Sequence, residues 1–330
     1  MTGMTADFMK MFFVIVILSF VSAGCGGKDR TIVLKLGHGL DVTHPVHKAM
    51  VYMAELVAKN STGRARIDIY PSEQLGSERE MIEQLQLGSV AMTKTSTSPL
   101  ESFIPAMSIF SVPYLFRDSD HAWKVFNGEI GKNILKEGES KGLKGLCYYD
   151  AGFRSFYMRN KAINSPDDLK GMKIRVQKSK TSMAMIEALG ASPTPIDWGE
   201  LYTSLAQGVV DGAENNPPSF ETSKHYETCK FYSLDEHSGP PDVVLISMQW
   251  WNKLPDDIKA IVQKAADSSS VYERKLWKEK TESSLAAVKA AGVKINRPDK
   301  AAFMKKVAPM YEQYKNTDIG ALITGIKAMP

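Results

Sequence analysis

From residue 32 onward the sequence alternates between strand-like and helix-like segments, and this order constrains the fold more than any other feature. Residues 32–36 and 66–70 are short segments with strand patterns, whereas residues 44–60 and 78–87 carry apolar positions at helical spacing. Strands that alternate with helices in this way favour a mainly parallel sheet covered by helices. We therefore predict an α/β fold.

The alternation continues through most of the chain. Further strand patterns occupy residues 90–95, 143–149, 156–159, 173–177 and 243–248, and further helix patterns occupy residues 118–136, 180–189, 198–207 and 256–291. No internal repeat and no low-complexity linker interrupts them. A chain of this length without a linker favours two lobes that the chain connects more than once, and such crossings act as a hinge around a cleft. We expect the ligand site in that cleft.

The N-terminus has the features of an export signal. A short apolar run, residues 12–21, follows Lys10 and leads to the small residues before Cys25. About ten apolar residues suit a secretory signal better than a membrane span. The order of run, small residues and cysteine resembles the lipobox of bacterial lipoproteins, so we expect residues 1–25 to be a lipoprotein signal peptide with lipidation at Cys25. A plain cleaved signal is the alternative, and Met9 is an alternative start.

Composition narrows the class of protein. The net charge of +4 is mild, and no Lys/Arg block is dense enough to indicate nucleic-acid binding. Two cysteines remain after the signal, Cys147 and Cys229, both in apolar surroundings; two buried free thiols or one bridge fit this pattern, and zinc-type spacing is absent. The sequence also lacks a P-loop, an HExxH motif and a Rossmann fingerprint. We expect no enzyme activity, no cofactor and no metal.

Arg175 lies in a short alternating segment, residues 171–177, which reads GMKIRVQ. Ile174 and Val176 point to one side of the predicted strand, so Arg175 points to the other. Residues 211–218 then read DGAENNPP, a sequence typical of a polar turn. A guanidinium next to amides suggests a fork for an anionic ligand, with a solvated surface arginine as the alternative.

Four motifs together resemble the extracytoplasmic solute-binding proteins of TRAP transporters. They occur in family order at residues 70–79 (YPSEQLGSER), 169–176 (LKGMKIRV), 190–195 (GASPTP) and 208–215 (GVVDGAEN). The resemblance implies a two-lobed periplasmic-binding-protein fold, type II-like, with mixed sheets, hinge-crossing strands and a long helix. It also implies an organic-acid ligand and delivery to an ion-driven membrane permease. We place lobe I at residues 26–152 with 241–280, and lobe II at residues 153–240 with 281–330.

The resemblance also assigns candidate ligand contacts. Arg175 matches the arginine that grips the ligand carboxylate, Asn215 matches an amide donor, and Arg154 matches a second arginine that contacts ligand in many members. A planar guanidinium fits both oxygens of a carboxylate, and closure of the cleft strengthens the pair by excluding water.

Other polar residues are expected to line the pocket. Glu78 begins a helix and is either a ligand contact or a carboxylate that the helix dipole favours. Lys94 and Ser96 share one face of a polar strand end that points toward the cleft. Trp198 matches an aromatic position of the family and either stacks on the ligand or belongs to the core. Asp242, just before a strong strand, is placed to accept a hydroxyl.

The histidine pattern favours hydrogen bonding over a metal site. His38, His44 and His47 are close in sequence, but no carboxylate or cysteine joins them at ligand spacing. His38 ends the first strand, where we expect a hydrogen bond to the ligand. His237 precedes a predicted crossover, and we expect a structural role for it.

The polar residues favour a sugar acid. Hydroxyl donors need several acceptors, and the sequence supplies the following set: Glu78, Glu214, Asn215, Asn216 and Asp242. The asparagine-rich run also resembles the uronate-binding branch of the family, so we predict a hexuronate such as glucuronate or galacturonate. The alternatives are a C4-dicarboxylate, an exported sugar-acid lyase or isomerase using Glu78 and His38, and a structural or sensory lipoprotein.

Overall fold

A computed structural model describes residues 31–330, which form one compact unit. The predicted signal peptide and the predicted lipidation at Cys25 fall outside the described residues. No helix among residues 31–330 has the length and apolar character needed to cross a bilayer.

Eleven strands, twelve α-helices and four short 3-10 helices make up this unit. The strands are β1 (Ile32–Gly37), β2 (Ala65–Tyr70), β3 (Met92–Ser96), β4 (Leu143–Tyr149), β5 (Arg154–Met158), β6 (Lys173–Val176), β7 (Ser192–Pro195), β8 (Gly212–Asn215), β9 (Phe231–Ser238), β10 (Asp242–Ser247) and β11 (Lys294–Asn296). The helices are α1 (Pro45–Asn60), α2 (Glu78–Leu87), α3 (Thr97–Leu100), α4 (Ser119–Asn127), α5 (Glu129–Glu137), α6 (Lys180–Ala188), α7 (Trp198–Gln207), α8 (Pro217–Thr222), α9 (Met248–Trp251), α10 (Asp256–Ala290), α11 (Lys300–Gln313) and α12 (Asp318–Ala328).

The first lobe is built on a five-stranded sheet of order β2-β1-β3-β10-β4. Strands β1, β2 and β3 are parallel, as their helical crossovers require, and β10 inserts antiparallel between β3 and β4. Apolar residues of β1 pack against α1, where Leu36, Met50 and Met53 are fully buried. The sheet is therefore mixed, and it places the C-terminal ends of β1 and β3 at one edge.

The second lobe is built on a six-stranded sheet of order β11-β9-β5-β8-β6-β7. Strand β8 lies in the middle of this sheet, antiparallel to β5 and parallel to β6. The prediction of a turn over residues 212–215 is therefore wrong. Glycine is required there because a Cβ on Gly212 would lie 2.3 Å from the sulfur of Met158 and 2.5 Å from the carbonyl oxygen of Tyr157.

The helix predicted over residues 118–136 is two helices, α4 and α5. The break falls at Gly128, which adopts extended backbone and separates the C-terminus of one helix from the N-terminus of the next. A Cβ at this position would lie 2.6 Å from the carbonyl oxygen of Lys124, so only glycine fits without a shift. Apolar periodicity continues through the break and concealed it.

The chain crosses between the lobes after β4 and again between β9 and β10. The 35-residue helix α10 packs against α1 and β4 of the first lobe and against α8 of the second. These connections confirm the predicted two-lobed α/β fold with mixed sheets, hinge-crossing strands and a long helix.

The terminal helix α12 packs on the first lobe. Ile323 and Ile326 join the core around Phe110, and His121 Nε2 lies 3.0 Å from the carbonyl oxygen of Ile326. We therefore propose that residues 318–330 belong with the first lobe, while the other predicted lobe boundaries remain predictions.

Candidate functional site

A cavity lies between the two lobes, and both contribute to its wall. The second lobe supplies Arg154, Arg175, Gln177, Trp198, Asn215, Asn216 and Ser219; the first supplies Gly39, Leu40, His44, Glu78, Lys94, Ser96 and Asp242; Ala151 and Trp277 lie on the crossing segments. Every candidate binding residue predicted from the sequence is in this wall except His38 and Glu214.

Arg175 is buried without an ion-pair partner in the described part of the chain. Its side chain comes from β6, whose neighbours Ile174 and Val176 are in the core, as the alternation predicted. Only 3% of Arg175 is exposed, which excludes the solvated-arginine alternative. Its Nε donates to the carbonyl oxygen of Ile196 at 2.9 Å, and the guanidinium carbon lies 5.8 Å from the centre of the Trp198 ring. Burial lowers the pKa of Arg175, and no carboxylate among residues 31–330 forms an ion pair with it.

Arg154 is buried too, but its charge is balanced within the protein. Its Nη2 donates to the side chain and to the carbonyl oxygen of Glu214, at 2.9 and 2.7 Å, and its Nε also contacts the Glu214 carboxylate. Burial opposes ionisation of Glu214, yet Arg154 and His237 together lower its pKa to about 2. Glu214 is thus the counter-ion of Arg154. It does not reach the cavity wall, so the idea that it receives a ligand hydroxyl is wrong.

His237 completes this buried network. Its Nδ1 lies 2.9 Å from Asp235 Oδ2, and its Nε2 lies 3.4 Å from Glu214 Oε2. Burial disfavours the imidazolium, but the two carboxylates outweigh that effect and raise the pKa of His237 to about 9. The expected structural role of this histidine is consistent with its position.

Two asparagines present amide donors beside Arg175. Asn215 Oδ1 accepts from Arg154 Nη1 and from the backbone N–H of Asn216, both at 2.9 Å. Asn216 Oδ1 caps helix α8 by accepting from the N–H of Ser219 at 2.8 Å. With both oxygens occupied, and neither Nδ2 bonded to residues 31–330, each amide can donate into the cavity.

His44 and Ser219 join the two lobes across the cavity. His44 Nδ1 accepts from the N–H of Val46 at 3.3 Å, so its proton is on Nε2, which lies 3.2 Å from Ser219 Oγ. Burial lowers the pKa of His44, and the ring is neutral. The Ser219 hydroxyl therefore accepts from His44 and keeps its own proton for a ligand.

The first-lobe wall has two carboxylates and one ammonium group. Lys94 Nζ donates to Asp242 Oδ2 at 3.0 Å and lies 3.6 Å from Glu78 Oε1, which also accepts from the N–H of Ser96 at 3.0 Å. Burial opposes the charge of Lys94, but Asp242 and Glu78 raise its pKa. One ammonium thus stands between two carboxylates, and their remaining oxygens can accept hydroxyl protons.

His38 lies behind this wall. Its Nδ1 accepts from the N–H of Leu40 at 3.1 Å, and its Nε2 lies 3.0 Å from His47 Nδ1. Burial, with help from Lys94, lowers the pKa of His38 to about 2, so the ring is neutral. The structure does not bring His38 to the cavity. No cluster of metal-ligating side chains occurs within residues 31–330.

Sequence reasoning did not select His44, Ser219 or Trp277 as ligand contacts, although all three are in the wall. Trp277 lies within α10 at a position that continues an ordinary apolar stripe, and its ring centre is 5.8 Å from that of His44. His44 and Ser219 could have been suspected from their places at helix starts, each beside a proline, but nothing local shows that they meet.

The fold and the site define a class. Two α/β lobes that enclose a buried cation without a partner, with donors on one wall and carboxylates on the other, form a binding protein that closes around an anionic ligand. The chain belongs to the bacterial extracellular solute-binding proteins of family 7, the DctP family, whose model matches residues 36–317.

Solved structures support this membership. A TRAP periplasmic solute-binding protein from Xanthobacter autotrophicus Py2, with bound β-D-galacturonate, is 40% identical, with a TM-score of 0.87 over 90% of this chain and 100% of its own. A second, from Roseobacter denitrificans with bound β-D-glucuronate, is 38% identical, with a TM-score of 0.88 over the same shares. A solute-binding protein from Chromohalobacter salexigens is 34% identical over 86% of both chains.

Proposed function

We propose that this chain is the extracytoplasmic binding subunit of a TRAP-type, ion-driven transporter and that its ligand is a hexuronate, glucuronate or galacturonate. The observation that carries the proposal is Arg175, a buried guanidinium that no carboxylate of residues 31–330 pairs, in a cavity whose other wall is acidic. A buried charge of this kind is costly until an anion joins it. A carboxylate therefore completes the site.

The second-lobe wall fits a single carboxylate. The free Nη groups of Arg175 can bind both oxygens, and the Nδ2 groups of Asn215 and Asn216 donate beside them. Arg154 has one N–H left for the ligand, because Glu214 and Asn215 occupy the others.

The first-lobe wall fits hydroxyl groups. Glu78 and Asp242 are acceptors, and a sugar ring supplies the hydroxyl donors that they need. Trp198 and Trp277 offer apolar surface on which the C–H face of a sugar can pack. The neighbours with bound galacturonate and glucuronate support this assignment.

A C4-dicarboxylate is the alternative, and the charges of the first-lobe wall disfavour it. Its second carboxylate would meet Glu78 and Asp242, and Lys94 is already bonded to both of them. Like charges at this distance in a buried site repel strongly. A dicarboxylate should bind weakly or not at all.

We further propose that the protein releases its ligand unchanged. The lyase or isomerase alternative needed Glu78 and His38 as an acid–base pair, but His38 lies behind the wall with both ring nitrogens bonded. Recovery of D-galacturonate unaltered after long incubation, followed by NMR, tests this point; a new sugar-acid signal would contradict it.

The lipid anchor at Cys25 and the permease partner also remain proposals. Mass spectrometry of the mature protein should show a diacylated N-terminal cysteine, and an intact, unlipidated Cys25 would contradict the anchor. A gene for a multi-span permease next to this one would support the transport role.

The ligand itself can be tested by thermal shift followed by calorimetry. The panel should contain D-galacturonate, D-glucuronate, succinate, a keto acid and an amino acid. Because ligand binds the folded protein alone, it raises the melting temperature, and the shift grows with the logarithm of the ligand concentration divided by Kd. We expect a shift with one or both uronates. A shift with succinate and none with uronates would contradict the assignment.

A further inference from the structure

Two glutamates of the first lobe each contact the start of a helix in the second lobe. Glu73 Oε2, in the loop after β2, accepts from the N–H of Gly199 at 3.0 Å. Glu101 Oε1, just after α3, accepts from the N–H of Thr181 at 3.1 Å. Gly199 and Thr181 are the second residues of α7 and α6, whose amides have no partner within their own helices.

We propose that Glu73 and Glu101 form a latch that holds the two lobes closed, and that the Glu73 contact makes closure respond to pH. The lobes are joined here by carboxylates that meet helix N-termini, where the peptide dipoles favour negative charge. Because each contact joins residues of different lobes, we infer that opening the cleft separates both pairs. The latch does not depend on which acid is bound.

Each latch carboxylate has one oxygen that lacks a partner. Glu73 Oε1 and Glu101 Oε2 are buried and make no hydrogen bond to residues 31–330. A buried ionised oxygen without a donor is unfavourable, whereas a protonated carboxyl loses less on burial. The closed form therefore favours uptake of a proton at a latch residue whose surroundings are also acidic.

Glu73 has such surroundings. Burial raises its pKa to about 7, the charges of Glu78 and Asp197 add to this effect, and the Gly199 N–H and Arg175 oppose it. Asp197 is itself bonded to Lys178 Nζ at 2.6 Å. Arg79 also faces the same small cleft between the lobes.

The sign of the pH response follows from the open form. With the lobes apart, Glu73 is in water and titrates near its ordinary pKa of 4.5. The closed form is therefore favoured fully below about pH 4.5, and this gain is lost as the pH rises through about 7. Ligand affinity should fall on the order of tenfold between pH about 5.5 and pH about 8, because closure and binding are linked.

Two variants separate the charge of Glu73 from its contact. Glu73→Gln imitates the protonated carboxyl and still accepts from Gly199, so it should bind tightly at both pH values. In Gly199→Ala the new Cβ would lie 2.3 Å from Glu73 Oε2, which the flexible side chain can only avoid by leaving. This variant should bind weakly at both pH values. Glu55→Gln, an exposed change on α1, is the control and should keep the wild-type response.

Calorimetry with D-galacturonate at the two pH values measures these affinities, and thermal unfolding confirms that each variant is folded. Glu101→Ala should weaken binding while the response carried by Glu73 persists. If the affinity of Glu73→Gln or of Gly199→Ala fell between the two pH values as much as that of the wild type, the proposal would be overturned.

Small-angle scattering of the free protein tests the latch even if no uronate binds. The free wild type should be more compact at pH about 5.5 than at pH about 8, and Glu73→Gln should be equally compact at both. A radius of gyration that changes neither with pH nor with the substitution would refute the latch, whatever the ligand is.

Discussion

Replacing Arg175 by methionine removes the charge but keeps most of the volume, and it tests the central argument about the cavity. Truncating one partner of a desolvated charge pair costs roughly 2–5 kcal/mol of binding free energy. Asn215 and Asn216 still donate to the ligand in the variant, so we expect a loss near the middle of that range. About 3 kcal/mol corresponds to an affinity for D-galacturonate on the order of a hundredfold lower.

The same substitution should not destabilise the free protein. It removes one hydrogen bond, from Arg175 Nε to Ile196, which contributes about 1 kcal/mol. With the lobes together it also removes a charge that is 3% exposed and has no ion-pair partner within residues 31–330, and the desolvation of such a charge costs several kcal/mol. The melting temperature without ligand should therefore stay level or rise, while the shift at a fixed ligand concentration becomes smaller.

Calorimetry and thermal unfolding of the wild type and three variants test whether Arg175 binds the ligand. Lys173→Met, on the same strand but with an exposed side chain, is the matched control and should bind as the wild type does. Arg175→Lys keeps the charge without the planar fork and should recover only part of the affinity. If Arg175→Met binds within about threefold of the wild type, or if its free form is destabilised, then Arg175 has a structural role and the clamp argument fails.

Three further results are expected. Asp242→Asn leaves Lys94 with one carboxylate, so affinity for D-galacturonate should fall about tenfold while that for succinate rises, as calorimetry can show. The folded protein raises the pKa of His237 from 6.5 to about 9, so the imidazolium stabilises the fold fully below about pH 6.5, and this stabilisation is lost as the pH rises through about 9. Chemical denaturation across this range should show that the free energy of unfolding falls in the wild type and changes less in His237→Gln. Gly212→Ala forces a Cβ against Met158 in the middle of the second sheet and should lower the free energy of unfolding by about 1–3 kcal/mol; unchanged stability would show that the strand adjusts freely.

The sequence predicted features whose cause is local. Alternation on β6 placed Ile174 and Val176 in the core and Arg175 away from it, because successive side chains of a strand point to opposite faces. The helical spacing of apolar positions likewise located helix α2. Ser77 and Glu80 form a capping box at its start, and Gly88 ends it in the left-handed conformation.

Features whose cause is distant in the chain were missed. The residues of β8 look like a turn, and only the fit of Gly212 against Met158 and Tyr157 of β5 makes them a central strand. Glu214 was taken for a ligand contact because its partner, Arg154, is 60 residues away. Local patterns cannot show such pairings.

Contacts between residues distant in sequence are frequent in the cleft, because its residues bond to partners in the other lobe. His44 meets Ser219 across 175 residues of sequence, and Glu73 meets Gly199 across 126. Both contacts join the two lobes, and around the ligand cavity the free donors of the second lobe face the carboxylates of the first. Ligand choice and closure therefore depend on the same two walls. A carboxylate pairs with Arg175 on one wall, and hydroxyls donate to Glu78 and Asp242 on the other. A molecule that offers only one of these groups leaves the polar groups of the other wall unpaired when the lobes meet.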